Sequence, residues 1–487
     1  MAFLAGHSYR TRPALPAPQQ HRTAALHEER FVGSVTRKIG LSLGADLCWP
    51  LCFEDLAAEL DLSIPIGSDT VRFEIERVTI EPFSLRKPAK YDVVLDRLTH
   101  WYSTSREWIK KAVLMDGVYV LNNPWSVQSM EKQSSYCAMM DLGFPIPDTW
   151  LLPPKEYESS PDLQPTLDAY AKLFDLGEIG KAVGYPMYMK PYDGGGWVGV
   201  SRADDEDQLR KAYEESGKFV MHVQKGVEPH DRFVRCVGVG PQVRIVNYDP
   251  GAPLHQRYQP DRDFVSPEVQ RMLEDTTLTI NAFFGWDFNS CEMLHQNGIW
   301  HPIDFANPCP DSQVTSLNVH FPWLVLSKLR WALFCAATKR KMHTNLDWEP
   351  FYKIRDKGLD LPDRIAEYGK HARAHFDVAH FEDFCGEHLA DLDKIAYDYF
   401  ASDRARDAVR RKVEALFPEH EWEEFAQYFW DRIGEWREYE GKPAAELSKK
   451  PIEIPAKKAV KKAVKKAVKK KKAKVAAKTG KKAKKKS

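Results

Sequence analysis

Two stretches of this sequence set chemically useful residue types at useful spacing. From Tyr185 to Ser201 the chain reads YPMYMKPYDGGGWVGVS, an apolar run followed by one lysine and a glycine cluster. Gly194, Gly195 and Gly196 remove every Cβ from the turn, so backbone N–H groups can approach an anion closely and positive φ costs little. Lys190 adds a point charge for the same anion. Together they read as a phosphate cradle, although a glycine run by itself reads as readily as a surface hairpin. Further on, CEMLHQNGIWHPIDFANPCPD places Glu292 and Asp304 on two arms joined by Gln296-Asn297-Gly298, a hairpin signal. The two carboxylates can then face each other across one sheet surface. Hard oxygen ligands of this kind suit Mg2+, which takes one or two carboxylates plus phosphates and water. Asp287 and Asp311 are reserve candidates for the same metal, though both read more readily as solvated turn acids.

The elements that must hold these groups follow from hydrophobic periodicity. Strands are expected at Lys38 to Leu43, Thr70 to Ile80, Tyr91 to Leu95 and Val118 to Leu121, with helices at Phe53 to Leu60 and Ser105 to Met115. Strands joined by a helix suggest a parallel α/β unit. Ser126 to Leu142 reads as a helix carrying Lys132, and residues 163–183 as one helix leading to the Lys190 strand. Asp204 to Glu215 reads as a helix behind the glycine loop. Strands at Phe219 to Gln224, Phe233 to Val239 and Gln242 to Tyr248 precede a helix at Pro267 to Phe284 and the acidic hairpin, Ser290 to His295 and Ile299 to Phe305. From Trp323 to about Gly441 the pattern is helical, with aromatics at core spacing.

The net charge of +1 over 487 residues conceals an asymmetry. From Lys449 onward there are 19 lysines and one acid, so the tail carries +18 and the preceding body −17. Like charges at that density predict a disordered tail, and the Pro-, Arg- and His-rich residues 1–35 an irregular arm. No apolar run approaches the eighteen or so residues needed to span a bilayer, and no hydrophobic signal core opens the chain, so a cytoplasmic location without membrane contact is expected. The eight cysteines are scattered without metal spacing and are expected to be reduced.

Four features stand in an order that resembles the ATP-grasp superfamily, specifically the carboxylate–amine ligases of the glutathione synthetase and ribosomal-protein-modifying type. They are VYVLNNPWSVQSMEKQ with Lys132, the Lys190 and glycine stretch, FVMHVQKGVEPHDRFVRCVGVG, and the acidic hairpin. The match runs over roughly residues 85–325. The fold class implied is α/β with an α+β ATP-grasp core: an N-terminal α/β domain at 36–125, a two-lobed ATP-grasp domain at 126–325, a helical extension at 326–445 and the Lys/Ala-rich tail at 446–487.

The resemblance implies ATP and Mg2+ (or Mn2+) as ligands, with a small-molecule or peptide carboxylate and an amine as substrates. Lys132 and Lys190 would clamp the phosphates from two elements, with the backbone of Gly194 to Gly196. At the adenine hinge, Gln224 would face the exocyclic amine, the backbone of Lys225 and Val227 would read the ring edge, and Asp231, or else Glu228, would meet the ribose. Glu292, Asp304 and Asn307 would hold the metal. The sequence departs from the family pattern here, because Asn307 stands one residue late and needs a bulge to reach the metal face. Arg244 and Arg257 would stabilise the transferring phosphoryl group, with Arg235 and Arg262 as neighbours. Trp197, where the family more often has a small residue, would shield the acyl phosphate from water.

Two other readings use the same residues. The lysine tail is compatible with sequence-independent, salt-sensitive nucleic-acid binding. The Asn307 displacement is compatible with a nucleotide-binding protein that performs no catalysis. The helical extension offers no chemical motif and could cover the cleft, serve self-association into a homo-oligomer or contact a carrier protein.

Overall fold

A computed structural model of the chain describes residues 33–66, 69–98, 102–129, 131–193 and 198–441. Gly194 to Trp197, the lysine-rich tail and all but the last three residues of the expected amino-terminal arm lie outside these residues. Those last three, Gly33 to Val35, already belong to the first strand.

The first sheet has the order β2-β3-β1-β4-β5 and comprises β1 (Gly33–Ser42), β2 (Ser63–Ile66), β3 (Asp69–Arg77), β4 (Val93–Asp96) and β5 (Tyr119–Leu121). β1 pairs in parallel with β3 and β4, and β4 with β5, while β2 runs antiparallel to β3. Every residue of β4 is buried, as a central parallel strand covered on both faces requires. Ile39, Leu41, Val93 and Leu95 face one core with helix Cys48–Leu60, whereas Val94 and Val120 face a second core with helix Ser103–Asp116.

The small lobe is an antiparallel sheet in the order β6-β9-β7-β8, built from β6 (Thr149–Leu152), β7 (Met187–Pro191), β8 (Ser201–Ala203) and β9 (Met221–Lys225). Helices Leu176–Val183 and Glu206–Glu214 cover one face, where Met187, Met189, Met221 and Val223 form a core separate from that of the rest of the chain. Strand alternation then turns Tyr188, Lys190, His222 and Gln224 to the other face.

The larger lobe has the order β11-β10-β12-β13, from β10 (Arg232–Val239), β11 (Gln242–Asn247), β12 (Phe288–Gln296) and β13 (Ile299–Asp304). Helix Pro267–Phe284 packs against this sheet. Cys236 pairs with Cys291 and Val234 with Met293 on one face; Arg235 opposite Glu292, and Val237 opposite both Ser290 and Arg244, make up the other.

Helices continue from Val314 to Tyr439. Helix Phe321–Ala337 is apolar nearly all round and accordingly buried, wedged between the first sheet and the larger lobe. Two expected single helices are each two. Residues 163–183 divide into Leu163–Tyr170 and Leu176–Val183, the second begun by the Asp175 side chain accepting from the Gly177 N–H at 2.7 Å. Residues 126–142 divide into Pro124–Ser129 and Lys132–Asp141, which puts Lys132 at the head of its helix. Among the described residues no helix is long and apolar enough to cross a membrane.

Candidate functional site

The polar face of the small lobe and the Glu292 face of the larger lobe meet around β13. Asp304 stands opposite Glu292, and a register shift between Glu292 and Met293 leaves Ile303 as the extra residue of β13. That irregularity frees the Ile303 carbonyl from the ladder pattern. It accepts from Lys190 Nζ at 3.0 Å and from the Tyr136 hydroxyl at 2.7 Å. Lys132 Nζ donates to Asp304 Oδ2 at 2.7 Å, and Lys190 Nζ also donates to Gln224 Oε1 at 2.9 Å while lying over the Tyr136 ring. Two lysines from separate elements thus converge on one carboxylate and its neighbouring carbonyl.

Electrostatics follows from this crowding. Burial lowers the Lys190 pKa to about 8, with Asp304 and Glu292 opposing and Lys132 adding to the shift. Burial also pushes Glu292 up, against the pull of the Arg235 guanidinium. Burial acts the same way on Asp304, but Lys132 and Lys190 outweigh it and hold the carboxyl below its ordinary range. Among the described residues no group of three or more His, Cys, Asp or Glu side chains could enclose a metal ion. A pair of carboxylates still fits a hard cation that takes its remaining ligands from phosphate and water, which is the habit of Mg2+.

Asn307 reaches the pair by a route that strand parity does not describe. β13 ends at Asp304, so side-chain alternation stops there, and the following turn is pinned by the buried Asn289. Asn289 Oδ1 accepts from the Asn307 N–H at 3.0 Å, and its Nδ2 donates to the Phe305 carbonyl at 2.9 Å. Asn307 Nδ2 then lies 3.1 Å from Asp304 Oδ1.

The hinge residues are arranged more loosely. Gln224 is buried and occupied, with Oε1 accepting from Lys190 and Nε2 donating to Thr149 Oγ1 at 2.8 Å. The Lys225 N–H donates to the Asp148 carbonyl at 2.9 Å, whereas the Val227 N–H has no hydrogen-bond partner among the described residues. Asp231 is largely exposed and its carboxylate contacts His295 Nδ1 at 2.7 Å. Glu228 is bound to the Tyr188 hydroxyl and to Arg202. The glycine triplet expected to cradle the phosphates lies outside the described residues.

The arginines divide in a way that their sequence positions do not announce. Arg244 shares the Glu292 face but makes a bidentate pair with Glu440, both bonds 2.8 Å, and stacks on Trp323. Arg262 joins the same carboxylate at 3.2 Å. Arg257 Nε donates to the Ala252 carbonyl at 3.2 Å, within its own loop. Arg235, weighed in the sequence only as a neighbour, is the arginine that contacts Glu292, with Nη1 3.2 Å from Oε1. It also donates to Ser290 Oγ and lies over the rings of Tyr248 and Tyr258. Its signal was the register of β10 against β12, which only pairing supplies. Asp311 is half-buried and accepts from the Gln313 N–H at 2.9 Å, whereas Asp287 is buried and belongs to a different network.

No family model matches the sequence, and no curated protein matches it. Solved structures similar to the chain include a RimK domain ATP-grasp protein from Sphaerobacter thermophilus, at 12% identity and a TM-score of 0.41 over 60% of this chain and 97% of that one. A D-alanine–D-alanine ligase from Bacillus anthracis complexed with ATP is similar at 15% identity and a TM-score of 0.42, over 63% of this chain and 98% of that one. A carboxyaminoimidazole ribonucleotide synthase from Aspergillus clavatus, also complexed with ATP, is similar at 16% identity and a TM-score of 0.38, over 55% and 69% respectively. Likenesses at this identity and score carry no argument about activity, which rests on the side chains above.

Proposed function

We propose that the chain is an ATP- and Mg2+-dependent ligase of the ATP-grasp type that joins a carboxylate to an amine in the cytoplasm. The observation carrying this reading is the convergence of Lys132, Lys190, Glu292, Asp304 and Arg235 on the seam between two antiparallel sheets. Lys132 and Lys190 bind and orient the phosphates, and burial in the seam strengthens their hold by excluding water. Glu292 and Asp304, assisted by Asn307, would hold Mg2+, or Mn2+ in its place, which supplies charge neutralisation between phosphates. The substrate carboxylate attacks the γ-phosphorus and ADP leaves with the bonding electrons. The amine then attacks the acyl carbon, phosphate leaves, and the surplus amine proton passes to solvent. Arg235, paired with Glu292 across the sheet, would stabilise the charge that develops on the transferring group. Gln224, Lys225, Val227 and Asp231 line the adenosine end, with the free Val227 N–H as the donor to the ring. The substrates are small-molecule or peptide acids and amines, and the lysine-rich tail is an accessory.

Calorimetry with MgATP tests the nucleotide half, and a screen of acids and amines for ADP release tests the chemistry. Lys190→Ala should weaken MgATP binding by roughly 30-fold, the scale of one hydrogen bond to a charged group. Equal affinity in wild type and variant would remove Lys190 from the site. ADP release independent of any acid would remove the ligase reading.

A further inference from the structure

Among the described residues at the seam, His222 is the one group for which the fold gives no account. It sits in the middle of β9 between Met221 and Val223, opposite Lys190 in the β7–β9 ladder, on the face that carries Gln224. It is 0% exposed, and neither ring nitrogen has a hydrogen-bond partner among the described residues. Its imidazole meets the edge of Tyr136, with ring centroids 5.6 Å apart. Tyr136 in turn lies one helical turn after Lys132 and under the Lys190 ammonium. A buried imidazole normally has its nitrogens paired, because desolvating them without a partner is unfavourable. An aliphatic residue would satisfy both the strand and the packing. The imidazole is therefore unexplained by stability and placed among the cations read as holding phosphate.

Resting on the nucleotide reading above, we propose that His222 is a third phosphate-binding side chain, donating a ring N–H to the polyphosphate of the bound nucleotide. Burial, Lys190 and Lys132 lower its pKa to about 4, so at neutral pH the ring is uncharged and carries one N–H donor. A neutral donor adds a directed hydrogen bond without adding a third positive charge to a crowded pair. The opposite ring nitrogen remains an acceptor and can accept a hydrogen bond from an adjacent ammonium or water. The role is positional: His222 fixes where the phosphates lie between the lysines.

The test compares His222→Leu and His222→Gln with wild type in the full chain, by calorimetry with MgATP, MgADP and adenosine and by thermal melting without ligand. His222→Leu should weaken MgATP and MgADP by about tenfold and leave adenosine unchanged. Its melting temperature should hold or rise, because a buried unpaired polar group has been removed. His222→Gln, which keeps an N–H donor, should recover most of the nucleotide affinity, and it carries the test if the leucine variant does not fold. Wild-type MgATP affinity in His222→Leu overturns the proposal. So does an equal loss for all three ligands together with a lower melting temperature, which is the pattern of a structural residue. A wild-type chain that binds neither nucleotide overturns the ligase reading itself.

Discussion

Two buried polar clusters in this molecule invite comparison. Around Asp287 one carboxylate accepts from the Tyr119 hydroxyl and from Trp331 Nε1 at 2.9 Å, while Arg340 donates from Nε to the same tyrosine oxygen and from Nη2 to the His375 carbonyl. Arg340 also stacks on Trp331. One acid is matched by one base, and each acceptor is met by a donor from a different element, so the network knits the first sheet, the larger lobe and the helical extension together. Around Asp304 the arithmetic differs. Lys132, Lys190 and Arg235 face two carboxylates, and His222 lies among them with both nitrogens unpaired among the described residues. Saturated polar burial holds a fold together; surplus donors and uncompensated positive charge wait for a ligand. Both clusters contain perturbed carboxylates, so pKa shifts alone would not separate them.

The largest contrast should come from Asp287→Ala. It strands the Tyr119 hydroxyl, the Trp331 N–H and the Arg340 charge, and should lower the unfolding free energy by about 3–5 kcal/mol in urea titration while leaving MgATP affinity intact. Unchanged stability would erase the distinction between the two clusters. His222→Leu sharpens it through pH. With a folded pKa of about 4 against an ordinary 6.5, the unfolded chain binds the extra proton between those values. Wild-type stability should therefore rise with pH across that window and level off above it, with His222 contributing up to about 3 kcal/mol of the total rise. His320 and His375, also depressed by burial, act in both proteins, so the difference between the two curves isolates His222. Coincident curves would mean that the ring is solvated. The smallest effect belongs to Glu440→Ala. Its carboxylate is about a fifth exposed, so losing the pair with Arg244 and Arg262 should cost about 1 kcal/mol, read as faster amide exchange at the end of helix Trp422–Tyr439.

How far the site could be read in advance depended on whether the signal was local. The facing of Glu292 and Asp304 followed from an Asn-Gly turn between two short strands, and Lys190 from an apolar run ending in a lysine. The sequence favours Arg244 over Arg235 without a basis for the choice, because both lie on one sheet face, and what separates them is Glu440, far along the chain. Asp287 looked like an acid in a solvated turn, since nothing near it in sequence announces that Tyr119 and Trp331 will close over it. His222 was hidden by ordinariness: one histidine in an apolar strand has no pattern until both its nitrogens are seen to be bare. The helix breaks before Lys132 and Leu176 were likewise invisible to periodicity, which spans a short interruption without registering it.

The Lys132–Asp304 and Arg235–Glu292 pairs have a thermodynamic consequence for a site of this kind. Lys132 and Arg235 are each bonded to a metal-seeking anion, so for these two cations the resting cleft supplies its own counterions. A metal ion arriving alone must displace a lysine or arginine into a pocket with nothing to receive it, and a nucleotide arriving alone leaves two carboxylates bare beside its phosphates. Arriving together, the two ligands exchange partners and leave no charge stranded. Their affinities should then be mutually enhancing by equal factors, as linkage demands. Titrating Mg2+ with and without nucleotide, and nucleotide with and without Mg2+, closes that cycle, and binding of either one unaffected by the other would mean that the paired charges are spectators.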